Sequence, residues 1–467
     1  MDTNNHSLTG QDTGITPTER RAITSLAGIF SVRMFGLFMI LPVFTLYAQD
    51  HYTGYTVTLA GLAIGIYGFT QALFQIPFGM LSDRLGRKPV IMVGLLIFIL
   101  GSVIAAVSDS MLGVIVGRAL QGAGAIVAAV MALLADLTRE EHRTKAMAAF
   151  GVSIGMVFII ALMAGPVIGR VTGLSGLFWI TAALGIAGIV MLYLFVPNPA
   201  LTCFHRDAEA SITQFSDVLK DTQLLRLDAG IFILHLILMA SWIVLPLALR
   251  DSGGMAADEH WKIYVLVLLL SVVFMVPFVI LAEKYRRAKL VFSGAVLALV
   301  LCQFGLFSYY HNLIGIVIMM VVFFTAFNIL EANLPSLVSR VAPPEKKGTA
   351  LGIYSTSQFL GAFIGGLVGG WLFDEYGFSA VFAFCSIMAG LWFLFAITMK
   401  SPGELRSHLL KVDARTRQEA SELAARLYRV PGVVEAVVVA EDGVAYLKVN
   451  QKELKEEQLT VFSSPGI

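Results

Sequence analysis

Apolar residues in this chain neither alternate nor recur at helical spacing. They run unbroken, and stretches of about twenty are long enough to cross a hydrocarbon core as helices. Twelve such spans are predicted, at 22–47, 59–82, 89–108, 112–135, 146–170, 175–196, 226–249, 261–282, 289–309, 313–337, 349–373 and 379–398. Two polar stretches interrupt them, a linker at 197–225 and a tail from about 399 onward. The pattern divides the chain into a short tail (1–21), a six-helix bundle (22–196), the linker (197–225), a second six-helix bundle (226–398) and a terminal domain (405–467).

Composition supports the membrane reading. The 467 residues are 57% hydrophobic and 14% charged, with mean hydropathy +0.79. Soluble proteins carry about 25% charged residues. Residues 1–19 are polar and lack an apolar core, so no cleavable signal is expected and the first span acts as an anchor. Cys302 and Cys385 fall in spans and Cys203 in the linker, a pattern that predicts neither a disulfide nor a thiol metal site.

Charge sets an orientation, because Lys and Arg gather on cytoplasmic loops. With the N-terminus inside, the inner loops collect Arg84, Arg87 and Lys88; Arg139, Arg143 and Lys145; Lys284, Arg286, Arg287 and Lys289; and Arg340, Lys346 and Lys347. The outer loops hold Arg170, Arg250 and Lys262. Both termini are therefore expected in the cytoplasm, with the chain in a bacterial-type inner (plasma) membrane.

The chain also repeats. QIPFGMLSDRLGRK (75–88) aligns with MVPFVILAEKYRRA (275–288), matching Pro77 to Pro277 and Arg87 to Arg287. GPVIG (165–169) meets GGLVG (365–369), and EHRTKA (141–146) meets EKKGTA (345–350). Two similar bundles able to rock about a central site are a transporter signature.

The loop GMLSDRLGRK, with Gly79, Asp83, Arg84, Gly86, Arg87 and Lys88 in register, resembles the loop motif of the major facilitator superfamily. A second motif of that family, R-x-x-Q-G-x-G, is matched by Arg118, Gln121, Gly122 and Gly124. Gly165, Pro166 and Gly169 match part of the glycine-proline motif associated with antiporters. Arg170 and Ala161 stand where that motif has glycines. The resemblance covers about residues 20–398. The tail, with RALQGAGAIVAAVMALLADLTRE and YSTSQFLGAFIGG, narrows it to the YajR-like group of inner-membrane exporters. It implies an all-α membrane protein of twelve transmembrane helices in two six-helix repeats, and a conformational latch on the cytoplasmic side. There Asp83 would face the helix start at Gly348 and Thr349, where free N–H groups favour a carboxylate, and Arg87 would pair with Asp136. Positive-inside bias alone accounts for the arginines of the loop but not for Asp83.

Ionisable groups inside spans are costly and by default mark function. Here they are Arg33, Arg118, His235 and Glu331, the last read as the only carboxylate well inside a span. Arg stays charged, whereas a carboxylate or imidazole can change protonation. Glu331 and His235 are thus the candidates for proton coupling. The plainer alternatives are a structural partner for a nearby cation and a hydrogen-bonded core histidine. Arg33, Gln71, Arg118, Trp242, Tyr354 and Gln358 are candidates for the substrate cavity, with Gln75 on the Gln71 face. Interhelical hydrogen bonding is the alternative for each. Glycine-rich stretches such as GAFIGGLVGG read as packing surfaces, and Gly165, Pro166 and Gly169 are assigned to helix packing.

The tail is charged throughout. A helix at 413–430, strands at 433–440 and 443–450 across Glu441-Asp442, a helix at 451–460 and a possible strand at 407–412 give a small α+β, ferredoxin-like cytoplasmic domain. PGVVEAVVV is similar to heavy-metal-associated domains, but their Cys-x-x-Cys is missing, so no metal is expected there. The reading is a secondary transporter, not an enzyme, exporting small amphipathic compounds against protons. Its expected partners are a small-molecule substrate, protons and the lipid bilayer, with no nucleic acid, no cofactor and a monomeric state. A proton-coupled importer or exchanger, and a membrane sensor reporting through the tail, stay open.

Overall fold

The structure is a computed structural model. It describes residues 15–198, 218–285, 287–342, 347–399, 405–413, 416–439 and 443–450, with 454, 459 and 461–462. The linker, the Glu441-Asp442 turn and most of the 451–460 helix fall outside these residues, as does Cys203. Contacts divide the chain into two compact units, Met1–Phe204 with Met255–Val265, and His205–Gly254 with Leu266–Ile467.

In the first unit the helices are α1 (Pro17–Phe38), α2 (Leu41–His51), α3 (Val57–Leu85), α4 (Arg87–Val107), α5 (Met111–Ala123), α6 (Val127–Asp136) and α7 (Glu140–Leu194). The second half has α8 (Thr222–Asp251), α9 (His260–Glu283), α10 (Ala288–Tyr309), α11 (Leu313–Val341) and α12 (Lys347–Ile397). Among the described residues, ten helical stretches are long and apolar enough to cross a membrane. Two of them, within α7 and α12, turn at Gly173 and Gly377, whose φ angles of 66° and 75° suit glycine. Each thus holds two of the predicted spans. The two break points match in the sequence repeat.

Two predicted spans are broken where the sequence reading had them continuous. The span at 22–47 parts into α1 and α2 at Met39–Ile40, just before Pro42. Proline lacks an N–H and crowds the carbonyl four residues earlier, here Phe38. The span at 112–135 parts into α5 and α6 around Gly124.

Small residues let the helices meet closely. A Cβ on Gly361 or Gly365 would run into the α8 carbonyls of Phe232 or Leu236, and one on Gly369 would lie 2.6 Å from Ala240 Cα. These three lie one turn apart on α12, so GAFIGGLVGG is a packing ridge against α8. The core of the first unit is built from residues such as Leu26, Phe30, Leu95, Phe98, Val130 and Phe150.

The tail folds as β1 (Leu405–Lys411), α13 (Arg417–Leu427), β2 (Val433–Val439) and β3 (Val444–Asn450). The sheet order is β1-β3-β2, with β3 antiparallel to both neighbours. β1 and β2 are therefore parallel and joined through α13, a split β-α-β unit. Thr416 and Glu419 form a capping box on α13, and Leu410, Leu427, Leu447 and Val449 fill the small core.

Candidate functional site

Loop residues of the first unit converge at one end of its helices. Gly86, at φ 93°, closes α3 and opens α4, and so places Arg87 on the first turn of α4. Arg87 pairs with Asp83 one turn before it, bonds Ser82 Oγ at 2.8 Å and reaches Asp136 at 3.1 Å from the end of α6. The Arg87–Asp136 contact expected from the loop motif is therefore present. Lys88 Nζ donates to the Val196 carbonyl and Asn198 Oδ1, both at 2.7 Å. Arg21 donates to the carbonyls of Leu194 and Phe195 at 2.8 Å. Both cations thus sit where a helix end leaves its carbonyls open. Glu19 and Arg139, joined at 3.0 Å, tie α1 to the start of α7, a pair sequence reading missed. Arg84 is exposed. Gly79 has room for a Cβ at ordinary contact with Ala128. Gly348 and Thr349 belong to the second unit, at the start of α12.

Deeper in the first unit lies a cationic cluster. Arg33 on α1 and Arg118 on α5 are 0% and 1% exposed. Arg33 Nη2 donates to Gln71 Oε1 at 2.9 Å and to the Gly124 carbonyl at 3.1 Å. That carbonyl lies in the break between α5 and α6, so the interruption supplies an acceptor to the arginine. Arg118 donates to Gln121 Oε1 at 2.8 Å and to the Ala63 carbonyl at 3.3 Å, and Gln121 passes the network to Ser102 at 2.8 Å. Both guanidiniums stand within cation–π range of Tyr67, at 5.7 and 5.1 Å. Gly122 and Gly124 permit this closeness, since a Cβ on either would meet the Tyr67 or Gly94 carbonyl. Gln75 is buried on the Gln71 face, with Oε1 making no hydrogen bond among the described residues.

The second unit holds a titratable cluster. His235 on α8 meets the Ile231 carbonyl through Nδ1 at 3.3 Å and Gln358 Nε2 through Nε2 at 2.9 Å. Gln358 Nε2 also donates to Glu331 Oε1 at 3.2 Å, and Glu331 Oε2 lies 3.9 Å from His235 Nε2. These contacts fit a neutral imidazole carrying its proton on Nδ1, with Nε2 accepting from the amide. A proton added at Nε2 would face the amide N–H. Gln358 would then have to turn its oxygen toward His235 and withdraw its hydrogen bond from Glu331. Protonation of one group thus alters the hydrogen bonding of the other.

Glu331 does not stand alone. Asp228 on α8 is 5% exposed, and its Oδ2 makes no hydrogen bond among the described residues. A second carboxylate is thus buried on a span helix, near the start of the predicted span 226–249, where the sequence reading had singled out Glu331 alone. A signal for it exists: Asp221 caps the N-terminus of α8, which puts Asp228 in the second turn, on the His235 face one heptad earlier. Tyr354 feels the charge of both Asp228 and Glu331. Trp242, buried on α8, packs edge-on against Phe324 at 5.6 Å.

The six residues assigned to the cavity therefore fall into three groups. Arg33, Gln71 and Arg118 share the cationic cluster, Gln358 and Tyr354 border the titratable one, and Trp242 packs in an aromatic cluster. Of the helix-packing residues, Gly165 lies against the Met39 carbonyl at the α1–α2 break, whereas Gly169 has ordinary contacts at 3.4 Å and beyond. Cys302 and Cys385 are buried and free.

Known proteins agree with this architecture. The sequence profile of the Major Facilitator Superfamily matches residues 26–251 and 227–440. The inner membrane transport protein YajR of Escherichia coli (strain K12) is 46% identical over 441 residues, 94% of this chain and 96% of YajR. The quinolone resistance protein NorA of Staphylococcus aureus (strain MSSA476) is 26% identical over 361 residues, 73% of this chain and 87% of NorA. Among solved structures, a bacterial homologue of the human lysosomal transporter Spinster, inward-facing and occupied, superposes with TM-score 0.68 at 13% identity, covering 83% of this chain and 98% of that one. That likeness concerns the fold alone. Members of this family are transporters and not enzymes. With its helical repeats, loop motif and near full-length match to YajR, the chain belongs to the major facilitator superfamily, as a multi-pass membrane transporter of the YajR type.

Proposed function

We propose that this transporter exports small amphipathic compounds in exchange for protons, from a bacterial inner membrane with both termini in the cytoplasm. The observation that carries the reading is the His235–Gln358–Glu331 cluster, where two titratable side chains share one amide inside an apolar bundle. Placing such groups among apolar helices is costly, and a coupling group must gain and lose a proton in each cycle. Substrate and proton then compete for one transporter by favouring different states. The name of the distant relative NorA, a quinolone resistance protein, accords with export of amphipathic compounds.

The loop motif supports alternating access. Arg87 holds Asp83 and Asp136 together, the part of a cytoplasmic latch that lies within the first unit. Such a latch must break in every cycle, so its contribution has to stay within a few kcal/mol. The split β-α-β tail accords with a ferredoxin-like domain that modulates transport.

Everted membrane vesicles with an imposed pH gradient test the reading. Amphipathic compounds should release protons through the native protein and not through Glu331→Gln. Release that persists in Glu331→Gln would move the coupling role to His235. If no compound dissipates the gradient, export gives way to the importer or sensor reading.

A further inference from the structure

The first unit buries two full positive charges without a counter-charge. Among its described residues every ion pair uses another cation, and no carboxylate lies within 4.0 Å of Arg33 or Arg118. Tyr67, whose ring packs against both guanidiniums, is a phenol and carries no charge near pH 7. Nor are the donors used up. Nε and Nη1 of Arg33 make no hydrogen bond among the described residues, although the side chain is fully buried. The Tyr67 oxygen stands near enough to the Arg33 guanidinium to act as a loose acceptor, short of a full hydrogen bond, and Gln71 Nε2 makes no hydrogen bond among the described residues.

Buried donors without acceptors are costly, and charged ones more so. Two neutral acceptors satisfy Arg33 Nη2, yet the opposite charge that normally accompanies a buried guanidinium is missing from this cluster. The unused Nε–H, Nη1–H, phenol O–H and amide N–H are all donors, the complement of an oxyanion. A planar guanidinium presents paired donors to a carboxylate. Phe98, at 5.3 Å from Arg33 Cζ, and the Tyr67 ring pack against the guanidinium, so an anion reaching it would meet an apolar surround.

We infer that the Arg33–Tyr67–Arg118 cluster is the recognition site for the anionic head of the transported compound, so that the substrate class is amphipathic carboxylates or similar organic anions. The inference rests on the export reading for the meaning of the site, but binding can be measured apart from transport. Arg33 makes the direct contact, through Nε and Nη1. Arg118 adds the second charge, and Gln71 and Gln121 hold the two guanidiniums in place.

The test uses the purified full-length protein in detergent and three probes with one aromatic body: 2-naphthoate, 2-naphthamide and 2-naphthylmethylamine. Thermal unfolding is followed against probe concentration. The anion should raise the melting temperature of the native protein, while the amide and the amine leave it in place. Arg33→Gln should weaken naphthoate binding at least about tenfold, the factor one lost charge-assisted hydrogen bond carries, and Arg33→Lys should recover part of it. The comparison of probes on native protein needs no variant, so a misfolded Arg33→Gln does not remove the test. Equal shifts from all three probes, a stronger shift from the amine, or no shift from any of them would overturn the anion site. So would naphthoate binding that is undiminished in folded Arg33→Gln. A charge-blind result leaves proton-coupled export standing. Vesicles that release no protons, together with charge-selective binding, would overturn export and keep the anion site.

Discussion

The two halves of the chain are related by a sequence repeat, yet the polar clusters among their helices use opposite chemistry. In the first unit Arg33 and Arg118 keep their charge at any physiological pH, and their contacts are amides, carbonyls and aromatic faces. In the second unit His235, Glu331 and Asp228 can all change protonation, and Gln358 links the first two. Arg33 and His235 stand on the first long helix of their halves, α1 and α8, at a spacing that falls between the two offsets of the repeat. The two halves thus share a sequence frame but carry different ionisable groups on these helices. A fixed charge suits recognition of an ion, and a titratable one suits coupling to protons.

Experiments can break that division of labour. The largest effect is expected at Glu331: Glu331→Gln should bring compound-driven proton release in everted vesicles to the level of vesicles lacking the protein. Binding of an anionic probe to the first unit should survive. If both are lost together, the clusters do not have separate roles. Gln358→Leu should come next. It removes the amide that connects His235 with Glu331, and a cost of about 1.4 kcal/mol in coupling corresponds to about a tenfold slower proton-linked flux. Gln358→Asn, which keeps an amide donor there, should retain more activity than the leucine.

Asp228→Asn sharpens the comparison further. If Asp228 shares protons with the cluster, the variant should change the pH dependence of transport and lower its rate severalfold, with the melting temperature held or raised because a lone buried carboxyl is gone. An unchanged pH profile would assign Asp228 a structural role. Asp83→Asn tests the loop. It weakens the pairing with Arg87 and should shift cysteine-labelling accessibility toward the cytoplasmic side, with transport altered by a few fold. Unchanged accessibility and flux would reduce the loop to a topology anchor. The smallest effect is expected from removing 405–467. A transporter should still move its substrate within about twofold, whereas a sensor would lose its output.

Much of the fold was legible because a membrane span is nearly a local property. A run of apolar residues satisfies its own backbone as a helix and needs no distant partner. The twelve predicted spans were drawn from that rule, and the glycine-rich stretch at the α12–α8 contact was readable as close packing. The breaks were less visible. Pro42 carries a signal for the α1–α2 interruption, but Gly124 marks one only through its tight contact with α4. Asp228 escaped notice because it lies near a predicted span boundary, and its burial depends on how far α8 extends before it.

By itself the sequence determined the membrane fold, the twofold repeat, the loop that joins Arg87 to Asp136, and which residue types would be scarce and costly inside the bilayer. Only the tertiary structure decided how those residues pair. Arg33 meets Gln71 and the Gly124 carbonyl from 38 and 91 positions away, and His235 meets Gln358 from 123. No local preference encodes such distances. The helices form because their composition demands it, but the partner of a buried charge is set by which helix faces pack together, and that choice belongs to the whole bundle.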